Sequence, residues 1–307
     1  MRPRAGLVIA VALAVLSVPV WTEQSAQREV HGRSVIVGVT DADDAPIKGL
    51  TPADFVVRED TIAREITSVS PAPLPTHVVL LIDDTQVTQP VITYLRTALR
   101  VFTRRFAAAA TSANPDDPPM QMELFTFGER PTKRVPFTPN IPEIEKGIDR
   151  IFHITGAGSY FLDAITEITQ DFRKREAARP IIVSFTDEAG PEFSTRTARD
   201  IESALQASGA QLWNVTLQQG PQPVLDTEGR ERASVIGDVT RASGGYSKAV
   251  LTPQALDTAF GSIADQLLSR YLVIYGRPES LIPPSRLEVT VKRPGANVRV
   301  AKWLVGK

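Results

Sequence analysis

Carboxylates and hydroxyls gather at two points in the chain, each directly after an apolar run. Asp83, Asp84 and Thr85 follow Val78, Val79, Leu80, Leu81 and Ile82; Thr186, Asp187 and Glu188 close the run 180–185. Between them, the glycine-rich stretch TGAGS at 155–159 sets Ser159 in front of a helical pattern over 160–174. Oxygen donors brought together from three loops suit a hard divalent cation. A competing reading of the same residues makes Asp83 and Asp187 strand-end carboxylates that accept N–H bonds from neighbouring turns.

The elements that must position these groups are legible in the apolar pattern. The unbroken β-rich runs 78–82 and 180–185 read as strands covered on both faces, as in a parallel sheet. Their acidic ends then lie at the carboxyl edge of that sheet, where loops converge and ligands bind in open α/β folds. Val91, Ile92, Leu95, Ala98, Leu99, Phe102 and Phe106 recur at helical spacing, with Arg96, Arg100, Arg104 and Arg105 on the opposite face, which reads as solvated. A strand over 120–127, a helix over 141–152, a helix over 194–207 ended by Gly209, and a strand over 211–217 continue the alternation. Residues 218–229 read as a polar loop near the ligand edge, and 252–268, opening on Thr252-Pro253, as a closing helix.

With those residues in view, the segment from Leu74 to Ser269 resembles the von Willebrand factor A domain. That family's metal-ion-dependent adhesion site reads DxSxS after the first strand, has a threonine in a later loop, and TD or SD after the fourth strand. Here the first motif reads Asp83-Asp84-Thr85-Gln86-Val87, Ser159 stands at the threonine position ahead of FLDAI, and Thr186-Asp187 stands at the last. The resemblance implies a metal site of Asp83, Thr85, Ser159 and Asp187 for Mg²⁺, Mn²⁺ or Ca²⁺, with Asp84, Gln86 and Glu188 on the partner-binding edge. It also implies a partner protein whose carboxylate completes the shell, and a closing helix that shifts on occupancy. Val87 departs from the motif, since a valine has no oxygen to offer, and the site is therefore degenerate: metal binding is weak or absent. Residues 233–242 followed by SGGYSKA at 243–249 resemble the family's "ATGG" turn, and VTDADDAPIKGLTPADFVVRED resembles the strand-rich leader of a bacterial group of von Willebrand A-related proteins, frequent in acidobacteria.

That leader, 28–69, alternates as a small antiparallel unit, and Asp41, Asp43 and Asp44 read as a turn rather than a calcium loop. Strands over 270–275, 287–292 and 297–305 form a tail, the last two a hairpin around Arg293-Pro294-Gly295-Ala296. Neither set makes a stable sheet alone. The expected fold class is therefore α/β, a doubly wound, mostly parallel sheet over 73–269, inserted into a smaller β-sandwich built from 27–72 and 270–307. Residues 1–26, with Arg2 and Arg4 ahead of an apolar run over 5–21, read as a signal peptide or an uncleaved anchor, which directs the protein to the periplasm, cell surface or exterior.

A net charge of −1 without a basic tail argues against a nucleic-acid partner, and the lack of cysteine removes thiol chemistry. His31, His77 and His153 are scattered, and no HExxH, GxSxG, Walker or GxGxxG pattern occurs, so no enzyme is expected. The function expected is an exported protein-binding module. The alternatives are a metal-free scaffold or assembly subunit of an envelope complex and, more remotely, a metal-dependent hydrolase using Glu188 or Asp84 as base.

Overall fold

The computed structural model describes residues 30–110, 118–219, 225–278, 284 and 286–302. The expected export segment, residues 220–224 of the expected polar loop, and 303–305 of the expected last strand lie outside them. Four leader strands come first: β1 (Val30–Thr40), β2 (Phe55–Glu59), β3 (Ile62–Arg64) and β4 (Ile66–Pro71). Their alternation sends Val35, Val37 and Val39 of β1 and Phe55 and Val57 of β2 into one apolar cluster, and so few short strands need further partners to enclose it.

The chain next builds an α/β unit. Its elements are β5 (His77–Ile82), α1 (Ile92–Ala110), β6 (Gln121–Thr126), β7 (Thr132–Thr138), α2 (Ile141–Asp149), α3 (Phe161–Lys174), β8 (Pro180–Asp187), α4 (Ala198–Ser208), β9 (Gln211–Leu217), α5 (Thr227–Ser234), α6 (Thr240–Ala242), β10 (Ser247–Val250) and α7 (Leu256–Leu268). The described strands order as β10-β9-β8-β5-β6-β7, parallel except for β7. This is the doubly wound sheet expected of a von Willebrand A fold. Strand β5 is apolar throughout because both of its faces are covered: Val78, Leu80 and Ile82 pack with α1, α2 and α7, whereas Val79 and Leu81 pack with α3 and α4. Gly209 caps α4 at φ 68°, the left-handed conformation a glycine adopts without strain.

Three expectations change. Strand β7 has no counterpart in the sequence reading, because Lys133, Arg134 and Pro136 break its apolar alternation; those are residues that an edge strand tolerates and that discourage further pairing. The arginines of α1 are not a free solvated face: Arg100 and Arg104 pair with Asp149 and Glu145 of α2, and Arg105 reaches Asp265 of α7. The polar stretch expected to loop to 229 becomes helical at Thr227, where the Asp226 side chain accepts the Gly229 N–H at 2.7 Å.

After α7 the chain returns to the leader as β11 (Tyr271–Pro278), β12 (Leu287–Val291) and β13 (Asn297–Arg299). Strand β11 lies between β1 and β4, and β13 extends that sheet from β1; β12 pairs instead with β2 in a second sheet, β12-β2-β3. The two faces enclose one core in which Val289 joins Val37, Phe55 and Val57. The expected hairpin of the last two strands is thus corrected: each takes an open edge of a different sheet, and the turn between them crosses from one layer to the other. Glu59 is buried in this sandwich, where it receives Arg64 at 2.9 Å, Arg277 at 3.3 Å and the Tyr275 hydroxyl at 3.0 Å.

The sandwich is tied to the α/β unit at Asp44, which accepts from Tyr246 at 2.6 Å, Lys248 at 2.7 Å and Arg299 at 2.9 Å. The Arg299 guanidinium also lies 4.1 Å from the Tyr246 ring centre. Burial pushes the Asp44 carboxyl up, but the bonds from Lys248 and Tyr246 outweigh it and hold the pKa below its usual value.

Two predictions follow from this packing. Deleting residues 287–307 removes β12 and β13 and uncovers Val37, Val57 and Phe55, so the shortened chain should bind a hydrophobic dye and aggregate, while the α/β unit retains its own cooperative melting. An unchanged dye signal would show that the tail does not cover the leader. Glu123 on β6 is buried, with Lys133 at 3.1 Å as counter-ion. Burial raises its pKa from 4.5 to about 7, against the pull of Lys133. A carboxyl whose folded pKa is raised binds its proton more tightly when folded, so this stabilisation is complete below 4.5 and is lost as pH rises through about 7. Glu123→Gln should flatten the fall of the urea midpoint across that window; an identical pH profile would rule the group out.

Candidate functional site

Asp83 directly follows β5 and is fully buried, with both carboxylate oxygens occupied. Oδ1 accepts the Thr85 N–H at 2.9 Å and the Thr85 hydroxyl at 2.6 Å, and Oδ2 accepts the Asp187 N–H at 3.3 Å. One side chain thereby fastens the loop after β5 to the end of β8. Burial pushes its pKa up to about 6 against those hydrogen bonds. Asp187 accepts the Ala189 N–H at 2.9 Å, and its carboxyl is raised by burial while that bond and Arg232 pull it down.

The sequence candidates separate into distinct environments. Asp83, Thr85 and Asp187 come together at the carboxyl edge. The Ser159 hydroxyl donates at 2.7 Å to Glu192, a residue that the sequence did not single out. Val87 and the Thr85 hydroxyl both lie near Gly190. Asp84, expected on the partner-binding edge, is corrected: it is buried, accepting the Gly128 N–H at 2.7 Å and Arg134 at 2.8 Å, because its carboxylate can be neutralised only from β7. Gln86 is exposed and accepts the Gly156 N–H at 3.0 Å; Glu188 is half-buried and receives Gln218 at 3.4 Å.

The donor set does not fit a divalent cation as arranged. Such an ion takes about six or more oxygens, whereas here the Asp83 oxygens and the hydroxyls of Thr85 and Ser159 are committed to internal bonds, and Val87 presents methyl groups. Among the described residues, no cluster of three or more His, Cys, Asp or Glu side chains has a geometry that could hold a metal. A cation of another kind is at hand. Arg232, with 5% of its side chain exposed, donates from Nη2 to the Glu188 carbonyl at 3.1 Å and brings Nη1 to 4.0 Å from Glu192. Burial raises the Glu192 carboxyl, against bonds from Ser194 and Ser159 and the field of Arg232.

The rim of this edge is apolar. Leu251 is 72% exposed, Phe152 63%, Phe193 52% and Tyr94 42%, and Ile62 is the one other exposed large hydrophobic among the described residues. Leu251 follows β10, Phe193 lies in the loop after β8, Phe152 follows α2, and Tyr94 sits in the first turn of α1; all four are therefore at the carboxyl ends of the parallel strands. The Phe193 ring lies directly over Gly158, where any side chain would overlap it. The only signal in the sequence for Phe152 and Phe193 is an isolated aromatic in a loop beside an acidic strand end. Arg134, Glu192 and Arg232 carry no such signal, since their partners are distant in the chain. Elsewhere, Asn214 is buried and donates to Thr216 at 2.6 Å. No helix among the described residues is long and apolar enough to cross a membrane.

No family model matches the sequence, and no curated protein matches it. Among solved structures, the chain is similar to a von Willebrand factor type A protein from Catenulispora acidiphila, with a TM-score of 0.48 and 11% identity over 90% of this chain and 73% of that one. It is also similar to an aerotolerance-related membrane protein from Bacteroides fragilis, with a TM-score of 0.44 and 15% identity over 62% of this chain and 99% of that one. A third is BatB from Bacteroides thetaiotaomicron, with a TM-score of 0.42 and 16% identity over 62% of this chain and 98% of that one. Likenesses of this degree carry no argument about function; the fold rests on the strand order and the antiparallel edge strand.

Proposed function

We propose that this protein is a non-catalytic interaction module that docks a partner protein on the carboxyl edge of its von Willebrand A sheet. The observation that carries the reading is the ring of exposed Tyr94, Phe152, Phe193 and Leu251 around loops whose polar groups are already hydrogen-bonded internally. Large apolar side chains at the rim of a rigid edge are what a protein interface desolvates. Gln86 and Glu188 lie on the same edge as polar groups that a partner can reach. Catalysis finds little support there, since Asp84 is paired with Arg134 and His77 packs against Phe137 at the opposite end of β5, with ring centres 5.1 Å apart. Nucleic acid is disfavoured by the net charge of −1.

A second reading has one observation of its own: Ile62 is exposed on β3, the edge strand of the smaller sheet, which favours a scaffold engaged through the sandwich. A photo-crosslinking residue placed at Phe193 separates the two from the same residue placed at Ile62. Crosslinks to one defined protein from position 193, lost in Phe152→Asp while the melting temperature is kept, are expected. Crosslinks from position 62 alone would transfer the role to the sandwich.

We propose further that residues 1–26 direct export, on the strength of Arg2 and Arg4 ahead of the apolar run. Mass spectrometry of the native protein should then find a mature chain beginning near Gln27. An intact amino terminus in the membrane fraction would instead make the segment an anchor, and one in the cytoplasm would end the proposal.

A further inference from the structure

Three carboxylates, Asp83, Asp187 and Glu192, are buried around the convergence of the loops that follow β5, α2 and β8. Buried charges need compensation by a counter-charge and hydrogen bonds. In the family that the motifs resemble, a divalent ion meets that need, and the donor set here does not fit one. Arg232 meets it from the other side. It projects from α5, a helix held at its start by the Asp226 cap and to α4 by Glu231, which accepts the Ala198 N–H at 2.6 Å. Its guanidinium bonds the carbonyl of Glu188, lies 4.0 Å from the Glu192 carboxylate to which Ser159 is bonded, and lowers the Asp187 carboxyl through its field. Its Nη1 is buried with no hydrogen bond of its own, so charge, rather than donor geometry, holds it there. One of the expected metal ligands, Ser159, is thus bonded to the carboxylate that the guanidinium faces.

We propose that Arg232 is the resident cation of this edge: it takes the charge-compensating place of a divalent ion, so the loops are ordered, and a partner is engaged, without metal. Only the clause about the partner rests on the docking reading above. The immediate consequence is that the Glu192 carboxylate and the Glu188 carbonyl already have a cationic partner in the folded chain. The helix widens to a π turn over Val235–Val239, just beyond Arg232, closed by the Thr240 hydroxyl on the Val235 carbonyl at 2.8 Å. Such local widening changes which way the preceding side chains face relative to those that follow.

The test uses the full chain with Mn²⁺, Mg²⁺ and Ca²⁺ as probes, read by isothermal titration and by thermal unfolding against EDTA. The wild-type protein should give no stoichiometric binding heat and no shift in melting temperature. Arg232→Met should melt lower, and Arg232→Met with Glu192→Gln should recover part of the loss, because removing the cation and its carboxylate together leaves less uncompensated charge; a purely packing role would give additive losses. Arg232→Lys should retain more stability than Arg232→Met and remain blind to metal. If Arg232→Met does not fold, the double variant and the lysine variant decide the same point. One divalent ion bound per wild-type chain, or an Arg232→Met protein as stable as the wild type, would overturn the proposal. A partner captured equally well in EDTA supports it, whereas failure to crosslink any partner at Phe193 refutes the docking reading and leaves these titrations to stand alone.

Discussion

The carboxylate of Asp83, sealed from solvent at the end of the central strand, is the constraint on which the rest of the edge depends. A buried carboxylate is costly unless its oxygens are satisfied, and Asp83 satisfies them by drawing in the backbone and hydroxyl of Thr85 and the backbone of Asp187. The two loops are thereby fixed to each other before any ligand is considered. Asp84 does the equivalent on the other flank, since its bonds to Gly128 and Arg134 fasten the β6–β7 turn to the same strand end. Consecutive aspartates on opposite faces of one strand end therefore organise opposite halves of the edge, as the two-residue period of a strand requires.

The same logic of satisfied buried charge recurs where the chain's two units meet and within the sandwich. Asp44 draws together Tyr246 and Lys248 from the α/β unit and Arg299 from the tail. Glu59 collects Arg64, Arg277 and Tyr275 from leader and tail strands. Hydrophobic area brings these surfaces together, and the charged groups restrict which approach leaves no buried carboxylate without a partner. Because α7 runs almost directly into β11, which lies between β1 and β4, the closing helix is continuous with the middle of the sandwich sheet. Any displacement of that helix would have to be absorbed by strand pairing on both sides of β11.

How much of this was legible in the sequence depended on whether a residue's partner lay nearby in the chain. The strands of the central sheet stood out because burial on both faces demands unbroken apolar runs, and their ends stood out because acid follows apolar abruptly. The competing reading of Asp83 and Asp187 as acceptors of backbone N–H bonds describes the hydrogen bonds observed. Strand β7 was hidden because an edge position favours Lys133, Arg134 and Pro136, which look like loop residues. The different destinations of β12 and β13 were hidden because a short Pro-Gly turn is equally compatible with a hairpin and with a crossing between layers. Arg232 was the least visible: an arginine in the stretch TEGRERAS reads as a solvated helix face until Glu192, forty residues earlier, is brought beside it.

The degenerate motif therefore makes sense as a set of linked changes rather than as a single lost ligand. With Val87 in place of a hydroxyl, an ion at this edge would lack a donor, and the remaining carboxylates would be left to repel one another. An internal guanidinium offsets part of that charge at Glu192. Once the interior of the edge is self-sufficient, polar groups can no longer distinguish a partner by completing a coordination shell. On the docking proposed above, discrimination moves outward, to the shape and apolar area of the rim that carries Tyr94, Phe152, Phe193 and Leu251. A partner bound there would be held by burial, and its affinity would depend on salt and on divalent ions far less than a metal-bridged contact does.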